Sequence, residues 1–134
     1  MSFSIELVNT CNADCTFCAY RYQKRPKGII SDEIFKRAVD QYCLIGGGKL
    51  ELTPTVGEPL IDPHLLQRLR YAGSKNEIRE IGFFSNLLLL HRFNIKEFLT
   101  SGITNIRISA CIKDEETYRN LRYEGFHRFW RLLW

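Results

Sequence analysis

No stretch of this chain approaches the roughly 20 consecutive apolar residues of a membrane span, so a helical membrane protein is not expected. The opening Met1-Ser2-Phe3-Ser4-Ile5-Glu6 has neither a charged start nor an apolar core, so no secretory signal is expected and a cytoplasmic location follows by default. Charge of one sign is also scarce: 19 basic residues face 15 acidic ones. The basic residues concentrate only at Arg21, Lys24, Arg25 and Lys27. A nucleic-acid footprint is denser and sits on a recognisable motif, so this reads as a solvated basic loop, with neither nucleic acid nor membrane expected as partner. Low-complexity segments and strong repeats are missing. Histidine is limited to His64, His91 and His127, all distant in sequence from the first cysteines. The five cysteines are an odd number and three fall within eight residues, which argues against a secreted disulfide scaffold. In a reducing cytosol such a cluster reads as a metal site.

What is present is a globular mixture, 45% hydrophobic and 25% charged over 134 residues, enough for one domain with a core. Apolar runs alternate with helical periodicity. Strands are expected at Ile5-Glu6-Leu7-Val8, Leu50-Glu51-Leu52-Thr53, Glu80-Ile81-Gly82-Phe83-Phe84, and 105–110. Ser31 caps a first helix whose face carries Phe35, Val39, Tyr42 and Cys43, and Gly46-Gly47-Gly48 stops it. Asp62 and Pro63 open a second, with Leu65, Leu66 and Leu69 buried. Asn94 and Glu97 open a third that Gly102 closes, and Asp114 caps a fourth that runs on to Trp134. Cys43, Tyr20, Phe83, Phe84, Phe126, Phe129, Trp130 and Trp134 read as packing, as does Cys111, although it shares a strand face with Ser109.

Four strand-then-helix units in series imply an α/β fold with a parallel sheet and right-handed crossovers. Ligands of such sheets gather at the carboxyl ends of the strands. There the sequence places residues 11–18, Gly57 and Glu58, Ser85 and Asn86, and Ser109, all on one rim.

Cys11, Cys15 and Cys18 are spaced four and three residues apart. Three thiolates so spaced can wrap three irons of a cubane and leave the fourth iron open, whereas electron-transfer clusters are usually closed by four. A zinc knuckle is the other reading, but it wants a fourth Cys or His ligand.

The C-x3-C-x2-C spacing, with Phe17 as the aromatic residue before the last cysteine, resembles the motif of the radical S-adenosylmethionine (radical SAM) superfamily. The resemblance implies a [4Fe–4S] cluster on Cys11, Cys15 and Cys18 whose open iron chelates the amino and carboxylate groups of S-adenosylmethionine, with Phe17 beside that cofactor. It implies reductive cleavage to a 5′-deoxyadenosyl radical that abstracts hydrogen from a substrate, fed by an electron donor such as flavodoxin or ferredoxin.

Thr55-Val56-Gly57-Glu58-Pro59-Leu60 resembles the family's Gly-Gly-Glu-Pro loop, with Val56 in place of a glycine. This assigns Gly57 and Glu58 to the cofactor's amino group. Ser85-Asn86-Leu87 resembles a Thr-Asn-Gly segment and Ile108-Ser109-Ala110 an Ile-Ser-Leu-Asp-Gly segment, with Leu87, Cys111 and Ile112 departing from them. Asn86 and Ser109 are thereby assigned to the ribose or carboxylate, and Tyr20 is a lesser candidate for the adenine pocket. Asp114-Glu115-Glu116-Thr117-Tyr118 with Leu121-Arg122 is similar to a run in peptide- or protein-modifying members, which makes a peptide or protein the implied substrate. The implied fold is a parallel-sheet partial (βα) barrel with about four of six units present. Residues 1–134 then form one core domain truncated on its C-terminal side. The alternative is a truncated, non-catalytic iron–sulfur or zinc-binding interaction module.

Overall fold

The structure, a computed structural model, describes residues 1–53, 55–110 and 115–122. Four parallel strands, β1 (Ser2–Ser4), β2 (Gly48–Glu51), β3 (Ile78–Ser85) and β4 (Asn105–Ile108), lie side by side in chain order. Helices α1 (Asp32–Leu44), α2 (Leu65–Gly73) and α3 (Ile95–Leu99) form the crossovers, and α4 (Glu115–Arg122) follows β4. This is the expected α/β alternation, and the sheet is the parallel sheet of a partial barrel.

Local chemistry sets the elements. The Ser31 hydroxyl accepts the Ile34 N–H (3.2 Å) at the start of α1, and Asp32 and Glu33 sit in its positive first turn. Phe35, Val39 and Tyr42 are its buried stripe, while Cys43 is half-buried against the core. The glycine run both ends α1 and begins β2. Gly48 has φ +131°, and a Cβ there would collide with the Met1 carbonyl. Asn94 accepts the Glu97 N–H (3.1 Å) and caps α3 as expected.

Register sorts the strands into two faces. Phe3 is level with Leu50 and Leu50 with Ile81, while Phe83 is level with Ile106. These face the helices and, with Leu7, Leu65, Leu69 and Phe98, form the core. Each large side chain fully buried there stabilises the fold by about 1.5–3 kcal/mol. The other face carries Ser4, Glu51 and Gly82 in one row and Phe84 level with Arg107 in the next.

Several expected boundaries shift: β2 covers Gly48–Glu51 where 50–53 was expected, β4 stops at Ile108, and two further shifts have a clear cause. The first ladder pairs Ser2–Ser4, ahead of the apolar run expected as the strand. Ile5 still donates to Glu51 (2.8 Å), but Leu7 accepts the Ile30 N–H (2.9 Å) and Val8 bridges Ile29 antiparallel. The apolar run is buried as expected; a returning loop takes its backbone groups. Asp62 does not cap α2 directly, because a 3-10 turn over Pro59–Ile61 precedes it and α2 begins at Leu65. The Asp62 carboxylate instead accepts the His64 N–H (2.9 Å) and pairs with buried Arg68 (2.8 Å). Cys111, Ile112, the expected cap Asp114, and Phe126, Phe129, Trp130 and Trp134 lie outside the described residues, as does the expected continuation of the last helix. No helix among the described residues is long and apolar enough to cross a membrane.

Candidate active site at the carboxyl ends of the strands

A pocket of about 320 Å³ opens where the four strands end. Cys11, Cys15, Phe17 and Cys18 form one wall, and Thr53, Thr55, Val56, Gly57 and Glu58 come from the end of β2. Phe84, Ser85 and Asn86 come from β3 and its exit, and Ser109 from the end of β4. Cys11, Cys15, Cys18, Phe17, Gly57, Glu58, Asn86 and Ser109, all singled out by sequence, thus surround one cavity. Tyr20 is not among its lining. Its hydroxyl bonds Lys27 (2.7 Å) on the outer side of the loop, so the adenine role weighed for it is not supported.

The thiols are framed by backbone donors. The Ala13 N–H points to Cys11 Sγ and the Tyr20 N–H to Cys18 Sγ, both at 3.4 Å, and Cys18 N–H donates to the Cys15 carbonyl (3.1 Å). Burial pushes the Cys11 thiol up to about 11, with Glu58 and the two neighbouring cysteines adding to the rise and the Ala13 N–H opposing it. A thiolate here needs a positive partner, which metal supplies. Among the described residues no three His, Cys, Asp or Glu side chains converge on one ion position. A zinc site gathers its donors within about 2.0–2.3 Å of a single ion. His91 is occupied with the Leu88 carbonyl (3.0 Å), and His127 lies outside the described residues.

Glu58 is buried, and its carboxylate braces two loops. One oxygen accepts the Ser85 hydroxyl (2.8 Å) and the Leu60 N–H (3.1 Å), and the other accepts the Asn86 N–H (2.8 Å). The Asn86 side chain then donates to Asn12 Oδ1 (3.0 Å) and reaches Cys11 Sγ at 3.9 Å. Hydrogen bonds thus connect the β2 loop, the β3 exit and the cysteine loop. Gly57 has φ +101°, and a Cβ there would strike the Val8 carbonyl. The close approach that needs this glycine is to the β1 exit, inside the protein. Leu87, which stands where the resembling segment has glycine, still adopts φ 58°; a non-glycine residue held there stores about 1–3 kcal/mol of strain.

Sequence reasoning missed Phe84. It is 46% exposed, lines the pocket, and carries the Arg107 guanidinium 4.9 Å from its ring centroid. Strand alternation holds the signal, because Phe83 and Phe84 are adjacent and cannot both face the core. Thr53 and Thr55 also escaped notice.

Compared with known protein families, residues 5–133 match the radical SAM superfamily. The chain belongs to this superfamily. Radical SAM proteins are enzymes that use a [4Fe–4S] cluster and S-adenosylmethionine, and the three-thiol wall fits that cluster. Molybdenum cofactor biosynthesis protein moc-5 of Caenorhabditis elegans is 30% identical over 133 residues, spanning 96% of this chain and 22% of that protein. The GTP 3′,8-cyclase of Trichodesmium erythraeum is 23% identical over 97% of this chain and 40% of its own length. The cyclase of Clostridium perfringens is 28% identical over 90% of this chain and 38% of its own. The chain therefore spans well under half the length of these radical SAM relatives. Among solved structures, BtrN in complex with AdoMet and 2-DOIA superposes with a TM-score of 0.73 at 17% identity, covering 90% of this chain and 49% of that one. That likeness confirms the radical SAM fold.

Proposed function

We propose that Cys11, Cys15 and Cys18 hold a [4Fe–4S] cluster, and that the protein uses it to cleave S-adenosylmethionine to a 5′-deoxyadenosyl radical that abstracts hydrogen from a polar small molecule. The observation that carries this is the gathering of three thiols and the Gly57, Glu58, Asn86 and Ser109 groups around one pocket of about 320 Å³. When bound, the cluster supplies an open iron for the cofactor and the electron that breaks its sulfur–carbon bond. The residues of the chain bind and orient. Gly57 and Glu58 receive the amino group, and the donors that fix the Glu58 carboxylate leave it no reorganisation to undergo. Asn86 and Ser109 border the ribose or carboxylate, and Phe17, 62% exposed beside Cys18, gives an apolar surface for the adenine. An electron donor of the flavodoxin or ferredoxin kind completes the reaction in a reducing cytoplasm.

A polar substrate is favoured by the face of the sheet below the pocket. There Arg107 grips Glu51 with two hydrogen bonds (2.6 and 2.9 Å), and Lys49 joins Glu51 at 2.9 Å. The interior of a closed (βα) barrel is typically filled with branched apolar side chains. The relatives named as GTP cyclases make a purine nucleotide the first candidate. The peptide or protein substrate implied by the 114–118 run has no counterpart among the relatives named above.

The test is anaerobic reconstitution followed by reduction with S-adenosylmethionine present. About four irons per chain and release of 5′-deoxyadenosine are expected, with that release abolished by Cys15→Ala and increased by GTP. Unchanged product from Cys15→Ala, or a colourless protein with stoichiometric zinc, overturns the reading. A cluster that binds no S-adenosylmethionine favours the non-catalytic module.

A further inference from the structure

The segment carrying the three cysteines leaves the sheet side of the molecule after Val8 and comes back at Gly28, where Asn9 extends the pairing that Leu7 and Val8 make with Ile30 and Ile29. Asn9 donates its backbone N–H to the Gly28 carbonyl (3.2 Å), and its side-chain oxygen accepts the Gly28 N–H (2.7 Å). Its side-chain nitrogen donates to the Pro26 carbonyl (2.8 Å), and its own carbonyl accepts the Gln23 side-chain amide. All four bonds reach the returning arm, 14 to 19 residues away in sequence. Cys11 follows two positions after Asn9. A carboxamide offers a donor and an acceptor at one position; an aspartate lacks the donor and an alanine lacks both.

We propose that Asn9 is the positioning residue of the iron–sulfur loop. It locks the arm that carries Cys11 to the returning arm, so that the three thiols stay gathered on the pocket wall with or without the cluster. The inference rests on the cluster reading above, and its test has one arm that needs no cluster.

In the metal-free chain, hydrogen exchange is measured on Asn9→Ala. The amides of the 10–18 stretch and of Gly28 are expected to exchange about tenfold faster, the effect of losing the two exposed side-chain hydrogen bonds, with β2 and β3 unchanged. In the reconstituted chain, a chelator is expected to strip iron from Asn9→Ala about tenfold faster than from the parent, because the unclasped arm opens more often. Asn9→Asp keeps the acceptor for Gly28 but loses the donor to Pro26, so it falls between the two. Gly28→Ala is the control: nothing lies within 4 Å of its Cβ, and parent rates are expected. Iron loss from Asn9→Ala at the parent rate overturns the proposal. So does exchange that rises equally across the sheet, which would make Asn9 a general fold residue. A parent chain that takes up no iron refutes the cluster reading, while the exchange arm still decides the clasp.

Discussion

Phe83 and Phe84 are neighbours in the chain and belong to different halves of the protein. Phe83 is fully buried and packs edge-on to Phe98 of α3 at 6.3 Å between centroids, whereas Phe84 lines the pocket with a cation over its ring. The contrast extends along the sheet. Its helix side is held by apolar burial, and its pocket side by polar groups that satisfy one another. Stability and chemistry are thus separated by the two-residue period of a strand.

The sharpest way to break that comparison is the pair Phe83→Ala and Phe84→Ala. Phe83→Ala is expected to lose about 3–5 kcal/mol in a urea titration, through lost transfer energy plus a cavity. Phe84→Ala is expected to lose about 1 kcal/mol or less, while weakening ligand binding in the pocket. Equal losses would erase the distinction between the faces.

The helix side also holds a buried ion pair, Arg68–Asp62, with Arg68 donating in addition to the Ile30 carbonyl (2.6 Å). Arg68→Ala strands a buried carboxylate and is expected to lose about 3–5 kcal/mol near neutral pH. Burial already raises the Asp62 carboxyl above its ordinary range, despite Arg68 beside it. A raised folded-state value means that stability is present at low pH and lost as pH rises through it. The deficit of Arg68→Ala is therefore expected to shrink on acidification, which urea titrations at several pH values check.

On the pocket side, Glu58→Ala removes the acceptor of Ser85, Asn86 and Leu60 and is expected to lose about 1–3 kcal/mol for each group left unsatisfied and buried. Restored stability in Glu58→Gln, without restored S-adenosylmethionine affinity, would separate the brace from the ligand contact. The smallest effect is expected at Arg107→Ala. Arg107 is the main reason the Glu51 carboxyl lies below its ordinary range, so this pair contributes stability above that range and loses it as pH falls. Arg107→Ala is expected to return the Glu51 titration towards its ordinary value, read by NMR, and to flatten that acid limb.

The strand–helix order was legible because Ser31, Asn94 and the glycine run are local signals, and apolar periodicity survives in short segments. The pocket rim was legible for a topological reason: once the strands are parallel, the residues that follow them share one edge. Less legible was whatever depends on a partner distant in sequence. Leu7 and Val8 looked like strand residues because nothing local reveals that Ile29 and Ile30 return to meet them. Glu58 looked like a cofactor ligand alone because its hydrogen bonds to Ser85 and Asn86 span 27 and 28 residues. Leu87 keeps the left-handed backbone of the glycine it replaces, which residue type alone would argue against.

Because Asn9 ties itself to Gln23, Pro26 and Gly28, the stretch between them is sealed at its base like a cassette. Lys24 and Arg25 lie between two of those ties, and Arg25 is held in addition to Glu6 (2.9 Å) on the outgoing arm. Extra residues there would pull the stem apart before they disturbed anything else.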